Sequence, residues 1–121
     1  MSEATIGLVL DCADPEALAA FWADALGMQR RGAAGNYVML TSPSGGLPKL
    51  LLQRVSEPKA AKNRMHLDID TPDVDGEVER LERIGARRLE GEDRKEHGSR
   101  WVVMVDPEGN EFCVCDAAGE A

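Results

Sequence analysis

Residues Arg64–Asp70 read RMHLDID, a strict alternation of polar and apolar side chains. With a period of two, Met65, Leu67 and Ile69 lie on one face, and the other face carries an imidazole and two carboxylates. The apolar face has to be buried, whereas the polar face needs water, partners or a ligand. We therefore predict a strand with a helix packed behind it and a polar concavity in front, into which His66 points.

The predicted elements follow the same order on both sides of a polar linker at 56–63. Asp14 and Pro15 are typical of a helix start, and Gly27 is typical of a helix end. In the first half we predict strands at 5–12, 28–31, 36–41 and 49–55 and a helix at 15–26. In the second half we predict strands at 64–70, 87–90, 101–105 and 111–115 and a helix at about 74–84. The pattern predicts one α+β domain over residues 1–121, made of two βαβββ modules (about 5–56 and 64–116) that form a curved mixed sheet around a cleft.

Predicted turns and a loop connect these strands and helices. Residues 32–35 (GAAG) and 106–109 (DPEG) have the glycine and proline content of turns, and 91–99 reads as a charged loop. His97 falls in that loop, where we expect a solvated side chain. Phe21 and Trp22 lie on the apolar stripe of the first helix, so at least one of them belongs to the core.

Composition excludes several classes of function. The chain has 121 residues and a net charge of -8, with 22 acidic against 14 basic residues, which disfavours nucleic acid as a partner. No apolar run approaches the roughly 20 residues that cross a bilayer, and the N-terminus is too short and too acidic for a signal peptide. We expect a cytoplasmic protein that does not bind membranes. The three cysteines, an odd number, favour free thiols.

Three segments together resemble a known superfamily. Residues 17–27 (ALAAFWADALG), 66–70 (HLDID) and 106–112 (DPEGNEF) are similar, in this order, to signatures of the vicinal oxygen chelate superfamily. That superfamily includes glyoxalase I, extradiol dioxygenases, and bleomycin and fosfomycin resistance proteins. The actinobacterial glyoxalase-like domain subgroup is the most similar part of it. The resemblance implies the glyoxalase/bleomycin resistance fold and a homodimer.

Metal-dependent members of that superfamily carry ligands on the first, fourth, fifth and eighth strands. Here the resemblance places Gly7, Gln53, His66 and Cys113 at those positions. Gly7 has no side chain, Gln53 is a weak neutral ligand, and a thiol replaces the usual carboxylate. The resemblance therefore implies no metal cofactor. The alternative is a divalent metal such as zinc or nickel on His66, Cys113 and Gln53.

The candidate site residues share the predicted concave face. His66 with Asp68 is either a ligand contact or a protonatable catalytic pair, with His66 as the catalytic residue. Trp101 is placed to stack on a planar ligand, and Cys113 is either a reactive thiol or buried filler. The predicted ligand-binding residues are Gln53, His66, Asp68, Trp101 and Cys113.

Three functional hypotheses follow. The first is a protein that binds or sequesters a small organic molecule in a metal-independent cleft, as resistance proteins do. The alternative is a lyase or isomerase of the glyoxalase I type that uses a metal ion or a base centred on His66. The third is a redox response through Cys113.

Overall fold

The computed structural model describes residues 5–96 and 99–116. The chain divides into two compact units, Met1–Lys59 and Ala60–Ala121, and the boundary lies inside the segment predicted as a linker. Within the described residues, each unit contains one helix and four strands in the order β-α-β-β-β. The predicted α+β class and the two βαβββ modules are therefore confirmed. No helix among these residues is long and apolar enough to span a membrane.

The elements have the following bounds. The first unit contains β1 Gly7–Cys12, α1 Pro15–Leu26, β2 Gln29–Ala34, β3 Tyr37–Thr41 and β4 Lys49–Arg54. The second unit contains β5 Asp68–Thr71, α2 Val74–Arg83, β6 Arg87–Glu96, β7 Ser99–Val105 and β8 Glu111–Asp116.

The first unit is a four-stranded sheet in the order β1-β4-β3-β2, with β1 parallel to β4 and the other pairs antiparallel. The helix α1 packs on β2, β3 and β4. It starts at a cap in which the Asp14 carboxylate accepts a hydrogen bond from the Ala17 N–H at 3.2 Å. It ends at Gly27, whose φ of 64° is the left-handed conformation that glycine adopts readily. Phe21 and Trp22 are both buried in the core, in edge-to-face contact.

The second unit repeats this arrangement, with the order β5-β8-β7-β6 and β5 parallel to β8. The helix α2 packs on β6, β7 and β8. Its buried stripe contains Val78 and Leu81, and the Asp73 carboxylate caps its start by accepting from the Gly76 N–H. The core of this unit is completed by alternate residues of the two central strands, Val102, Met104, Phe112 and Val114.

The predicted strand 64–70 was wrong at its start. The pairing of β5 with β8 begins at Asp68, and just before it the Leu67 carbonyl accepts a hydrogen bond from the Cys113 N–H of β8 at 2.9 Å. Residues 64–66 therefore precede the paired register, although they continue the same alternation. Met65 was expected on the buried face, but it is 72% exposed. Alternation alone does not reveal where a strand loses its neighbour.

Two further boundaries differ from the prediction. The strand β2 extends through Gly32 to Ala34, and the turn predicted at 32–35 lies at Gly35 (φ 57°) and Asn36 instead. The strand β6 continues to Glu96 through most of the segment predicted as a charged loop, because a register shift between Arg88 and Asp93 lets its pairing with β7 resume. His97 lies outside the described residues.

Candidate functional site

A pocket of about 570 Å³ opens on the face of the second sheet, and the described residues that line it belong to the second unit. Alternate residues of β7 and β8 form its floor, because side chains two apart project to the same side of a strand. Their neighbours in sequence point into the core instead. The lining residues are Lys62, His66, Asp68, Leu89, Trp101, Val103, Glu111, Cys113 and Cys115.

The polar end of this pocket contains a cluster of His66, Asp68 and Cys113. The Nδ1 atom of His66 lies 3.3 Å from a carboxylate oxygen of Asp68, an ion pair when the imidazole is protonated. Asp68 and Cys113 are register partners across β5 and β8. One candidate ligand atom from each of the three side chains lies within 4.8 Å of the other two. The parallel strand pair therefore fixes two of these residues opposite each other, and the segment before β5 adds the imidazole.

The Cys113 thiol is the titratable group that this environment changes most clearly. Burial, reinforced by the nearby Asp68 carboxylate and a hydrogen bond to it, raises the pKa of Cys113 to about 11, while Lys62 acts in the opposite direction. At neutral pH the group is a protonated thiol and a weak nucleophile. The raised pKa favours buried filler over the predicted alternative of a reactive thiol, and the role of Cys113 stays a prediction.

Lys62 and Glu111 mark the border of the pocket where the chain enters the second unit. Glu111 accepts a hydrogen bond from the backbone N–H of Asn63 at 2.9 Å, which ties the segment before β5 to the start of β8. Lys62 is exposed and donates to the Asn63 carbonyl at 3.4 Å. An ammonium group is thereby placed near the carboxylates of a pocket that is otherwise acidic in its charged residues.

The turn before β8 determines where Cys113 lies. Asp106 is 3% exposed, and its carboxylate accepts hydrogen bonds from the backbone N–H groups of Glu108 and Asn110, each at 2.9 Å. The Asn110 side-chain amide donates to both carboxylate oxygens, at 3.1 and 3.0 Å. Gly109 has a φ of 86°, as this turn requires. The turn predicted at 106–109 is thus present, and it fixes the register of β8 against β7.

The predicted site residues fall into two groups. Gln53 lies in the first unit, on β4, with Asp11 and Tyr37 as register partners on either side. The others line the second unit's pocket: His66, Asp68, Trp101 and Cys113. That any of these residues binds a ligand stays a prediction.

Sequence reasoning left several lining residues out of the predicted site. Val103 shares the strand face of Trp101, so the period of two could have identified it. Cys115 shares the face of Cys113 in the same way. Lys62 was assigned to the linker, and no pattern in the sequence indicated Leu89.

The ligand positions implied by the resemblance do not provide a metal site as a set. Gly7 and Gln53 supply no strong donor, which leaves His66 and Cys113. Asp68, which is not one of those positions, lies with these two residues and adds a carboxylate oxygen. The donors that the structure brings together are therefore one imidazole, one carboxylate and one thiol.

Comparison with known proteins identifies a family and solved structures that this chain resembles. A family model described as a glyoxalase-like domain matches residues 7–115. The chain is similar to a glyoxalase/bleomycin resistance protein/dioxygenase family enzyme from Burkholderia phytofirmans PsJN, with 19% identity, a TM-score of 0.74, and coverage of 91% of this chain and 95% of that chain. No curated protein matches the sequence significantly.

Two further solved structures have the same fold. One is a glyoxalase family protein from Bacillus cereus (16% identity, TM-score 0.66, 96% of this chain and 97% of that chain). The other is the genomically encoded fosfomycin resistance protein FosX from Listeria monocytogenes (14% identity, TM-score 0.74, 96% and 92%). These likenesses confirm the predicted glyoxalase/bleomycin resistance fold. The actinobacterial subgroup stays a prediction.

Proposed function

Because this chain belongs to the glyoxalase-like domain family, we propose that it binds a small organic molecule in the pocket of its second unit and sequesters it without needing a metal ion. The observation that carries this proposal is the pocket itself. Its volume of about 570 Å³ lies within the range of roughly 300–1,000 Å³ that is usual for small-molecule sites. Its lining combines an apolar wall with a few polar groups at one end, as such sites do.

The pocket has an apolar wall and a polar end, and this separation indicates which kind of molecule it binds. Trp101, Leu89 and Val103 offer a half-buried apolar wall for a planar or aliphatic body. At the other end, His66 and Asp68 offer a hydrogen-bond donor and an anionic acceptor. We expect a ligand with an apolar body and a polar group that can donate a hydrogen bond, such as an amine or a hydroxyl.

The protonation state of Cys113 supports retention of an unchanged ligand rather than a covalent reaction with it. A thiol with a pKa of about 11 supplies little thiolate at neutral pH, so nucleophilic attack on a bound molecule is slow. Of the fold relatives, FosX is by its name a fosfomycin resistance protein. Sequestration of a toxic small molecule is one way in which a protein confers resistance, and it requires a pocket and no reaction.

A second function, a lyase or isomerase of the glyoxalase I type, is favoured by one observation. The Asp68 carboxylate lies 3.3 Å from Nδ1 of His66, an arrangement that orients the imidazole. His66 would then act as a general base towards a substrate in the pocket. The two functions differ in one measurable respect, since only the second changes the bound molecule.

The test is a thermal-shift screen of chelator-treated protein against metabolites and antibiotics, with fosfomycin and bleomycin included. A ligand that binds only the folded chain raises the unfolding midpoint, by mass action. We expect at least one compound to do so, and its effect to be lost in Trp101→Ala but kept in Tyr37→Ala, a matched aromatic truncation in the first unit. A shift that survives Trp101→Ala, or a panel with no shift, would contradict the proposal.

Each compound that binds is then incubated with the protein and recovered for mass spectrometry. Recovery of the unchanged compound supports sequestration. Conversion that is abolished in His66→Ala would establish the lyase or isomerase instead. We also propose a homodimer, for which light scattering should give twice the 13.1 kDa mass of one chain.

A further inference from the structure

The charged side chains around the pocket of the second unit do not balance. Two carboxylates, of Asp68 and Glu111, border it, and Lys62 supplies the one ammonium group among the described lining residues. The Lys62 side chain is exposed and donates to the Asn63 carbonyl at 3.4 Å. A long, flexible lysine side chain moves aside at little cost, whereas both carboxylates stand on strands of the sheet. The fixed charge of the pocket is therefore negative.

The Asp68 carboxylate is the anion best placed to receive a ligand. One of its oxygens lies 3.3 Å from Nδ1 of His66, and the Cys113 thiol donates to the carboxylate as well. These contacts orient the carboxylate without covering it, since the Asp68 side chain remains 53% exposed. An ionised carboxylate has about four lone-pair sites, so it has capacity for a donor from a bound molecule.

The pairing of the second sheet determines how far this anion lies from the apolar wall. Asp68 is the register partner of Cys113 on β8, and Cys113 is the register partner of Val103 on β7. Neighbouring strands are about 4.8 Å apart, so the backbones of Asp68 and Val103 are about 10 Å apart across the pocket floor. Trp101 lies two residues before Val103 on the same face, and the face of its indole attracts a cation. A flat ring system joined to a charged nitrogen through one carbon suits this spacing.

We propose that the ligand of this pocket is an organic cation, a protonated amine that pairs with Asp68 and lays a flat apolar body against Trp101 and Val103. The inference rests on the proposed function and narrows it, because an apolar wall and a polar end suit neutral alcohols as well as amines. A hydrogen bond between two charged groups is roughly twice as strong as one between neutral groups. The net charge of -8 also draws a cation towards the chain.

The experiment compares three compounds that share one ring system and differ in charge. Isothermal titration calorimetry on the full-length chain at neutral pH measures the binding of naphthylmethylamine (cation), naphthylmethanol (neutral) and naphthoate (anion), all of the same ring isomer. We expect the amine to bind at least about tenfold more tightly than the alcohol, and naphthoate to bind more weakly than both. Raising NaCl from about 0.02 M to about 0.5 M should weaken binding of the amine but not of the alcohol.

Three variants test which charges cause the preference for the amine. Asp68→Asn keeps a side-chain oxygen but removes the charge, and it should reduce the preference over the alcohol to less than about threefold. Lys62→Gln removes a like charge and should strengthen amine binding by about two- to threefold. Glu79→Gln is the matched control, because it removes one exposed negative charge from α2, which packs on the other face of the same sheet, and both affinities should stay within about twofold. Circular dichroism verifies that each variant is folded.

The inference is overturned if the alcohol or naphthoate binds as tightly as the amine, or if folded Asp68→Asn keeps the tenfold preference. It is also overturned if Glu79→Gln reduces the preference as much as Asp68→Asn does, because the net charge of the chain would then explain it. Absence of binding by all three compounds overturns it too, since their ring and linker match the pocket floor.

The proposed function is judged separately, by the panel of metabolites and antibiotics. A neutral or anionic compound that raises the unfolding midpoint, and loses this effect in Trp101→Ala, would support the pocket and contradict the cation. A panel without any shift would contradict the proposed function itself.

Discussion

Replacing Asp106 by alanine should strongly destabilise the second unit. The carboxylate is buried and accepts from three donors, the backbone N–H groups of Glu108 and Asn110 and the Asn110 side-chain amide. Alanine removes every one of these acceptors but leaves the donors in place. The turn then has to open to water or keep unsatisfied polar groups in its interior.

The magnitude follows from the burial of those donors. Asn110 is 8% exposed, so both of its donors lose their acceptor in a nearly dry environment. A buried group left without a partner costs about 1–3 kcal/mol, and partial opening of the turn recovers some of that cost. We expect a loss of about 3–4 kcal/mol, a large part of the 5–15 kcal/mol that is typical of whole domains.

Urea denaturation followed by circular dichroism measures this loss. With a slope of about 2 kcal/mol per molar urea, the midpoint should fall by about 1.5–2 M. Asp70→Ala is the matched control, because Asp70 is an exposed aspartate of the same unit, and it should change stability by less than about 0.5 kcal/mol. A loss below about 1 kcal/mol in Asp106→Ala, or an equal loss in the control, would show that the carboxylate network does not stabilise the turn.

Two further predictions concern the first helix and the buried thiol. Asp14→Ala removes the acceptor of the Ala17 N–H and should lower the free energy of unfolding by about 1 kcal/mol in the same urea assay. Asp14→Asn keeps a side-chain oxygen and should retain most of the wild-type stability. Equal losses in both variants would contradict the capping role. The pKa of the Cys113 thiol is raised from 9.0 to about 11 in the folded chain. Between these two values the thiol of the unfolded chain loses its proton before the thiol of the folded chain does. The stability that Cys113 contributes is therefore complete below pH 9 and is lost as the pH rises from 9 to 11. Cys113→Ala should therefore flatten the decline of the unfolding midpoint over that pH range, and an unchanged slope would refute the assignment.

The sequence predicted best where local chemistry determines the structure. The helix α1 begins and ends where Asp14, Pro15 and Gly27 indicate, because a cap and a left-handed glycine act within a few residues. The turn at 106–109 was predicted for the same reason. The alternation of β8 also placed Cys113 on a polar face, since the period of two does not depend on distant contacts.

The failures concern features that depend on a neighbouring strand. Residues 64–66 alternate like a strand, but the paired register begins later, so Met65 is exposed. The charged composition of 91–99 resembles a loop, although β6 extends through most of it by pairing with β7. The sequence predicted His66, Asp68 and Cys113 on one face, but the register that sets Asp68 opposite Cys113, 45 positions away, depends on the pairing of β5 with β8.

The pairing of β5 with β8 has a consequence for the order of events in folding. Asp68 and Cys113 are 45 positions apart, and closing a loop of that length is entropically costly, so we expect the pairing of β5 with β8 to form late in folding. The antiparallel neighbours β7 and β8 are joined by a tight turn and should associate much earlier. The polar end of the pocket would then be completed in the last step of folding and lost in the first step of unfolding. Any occupant of that end should slow the unfolding rate more than it accelerates folding.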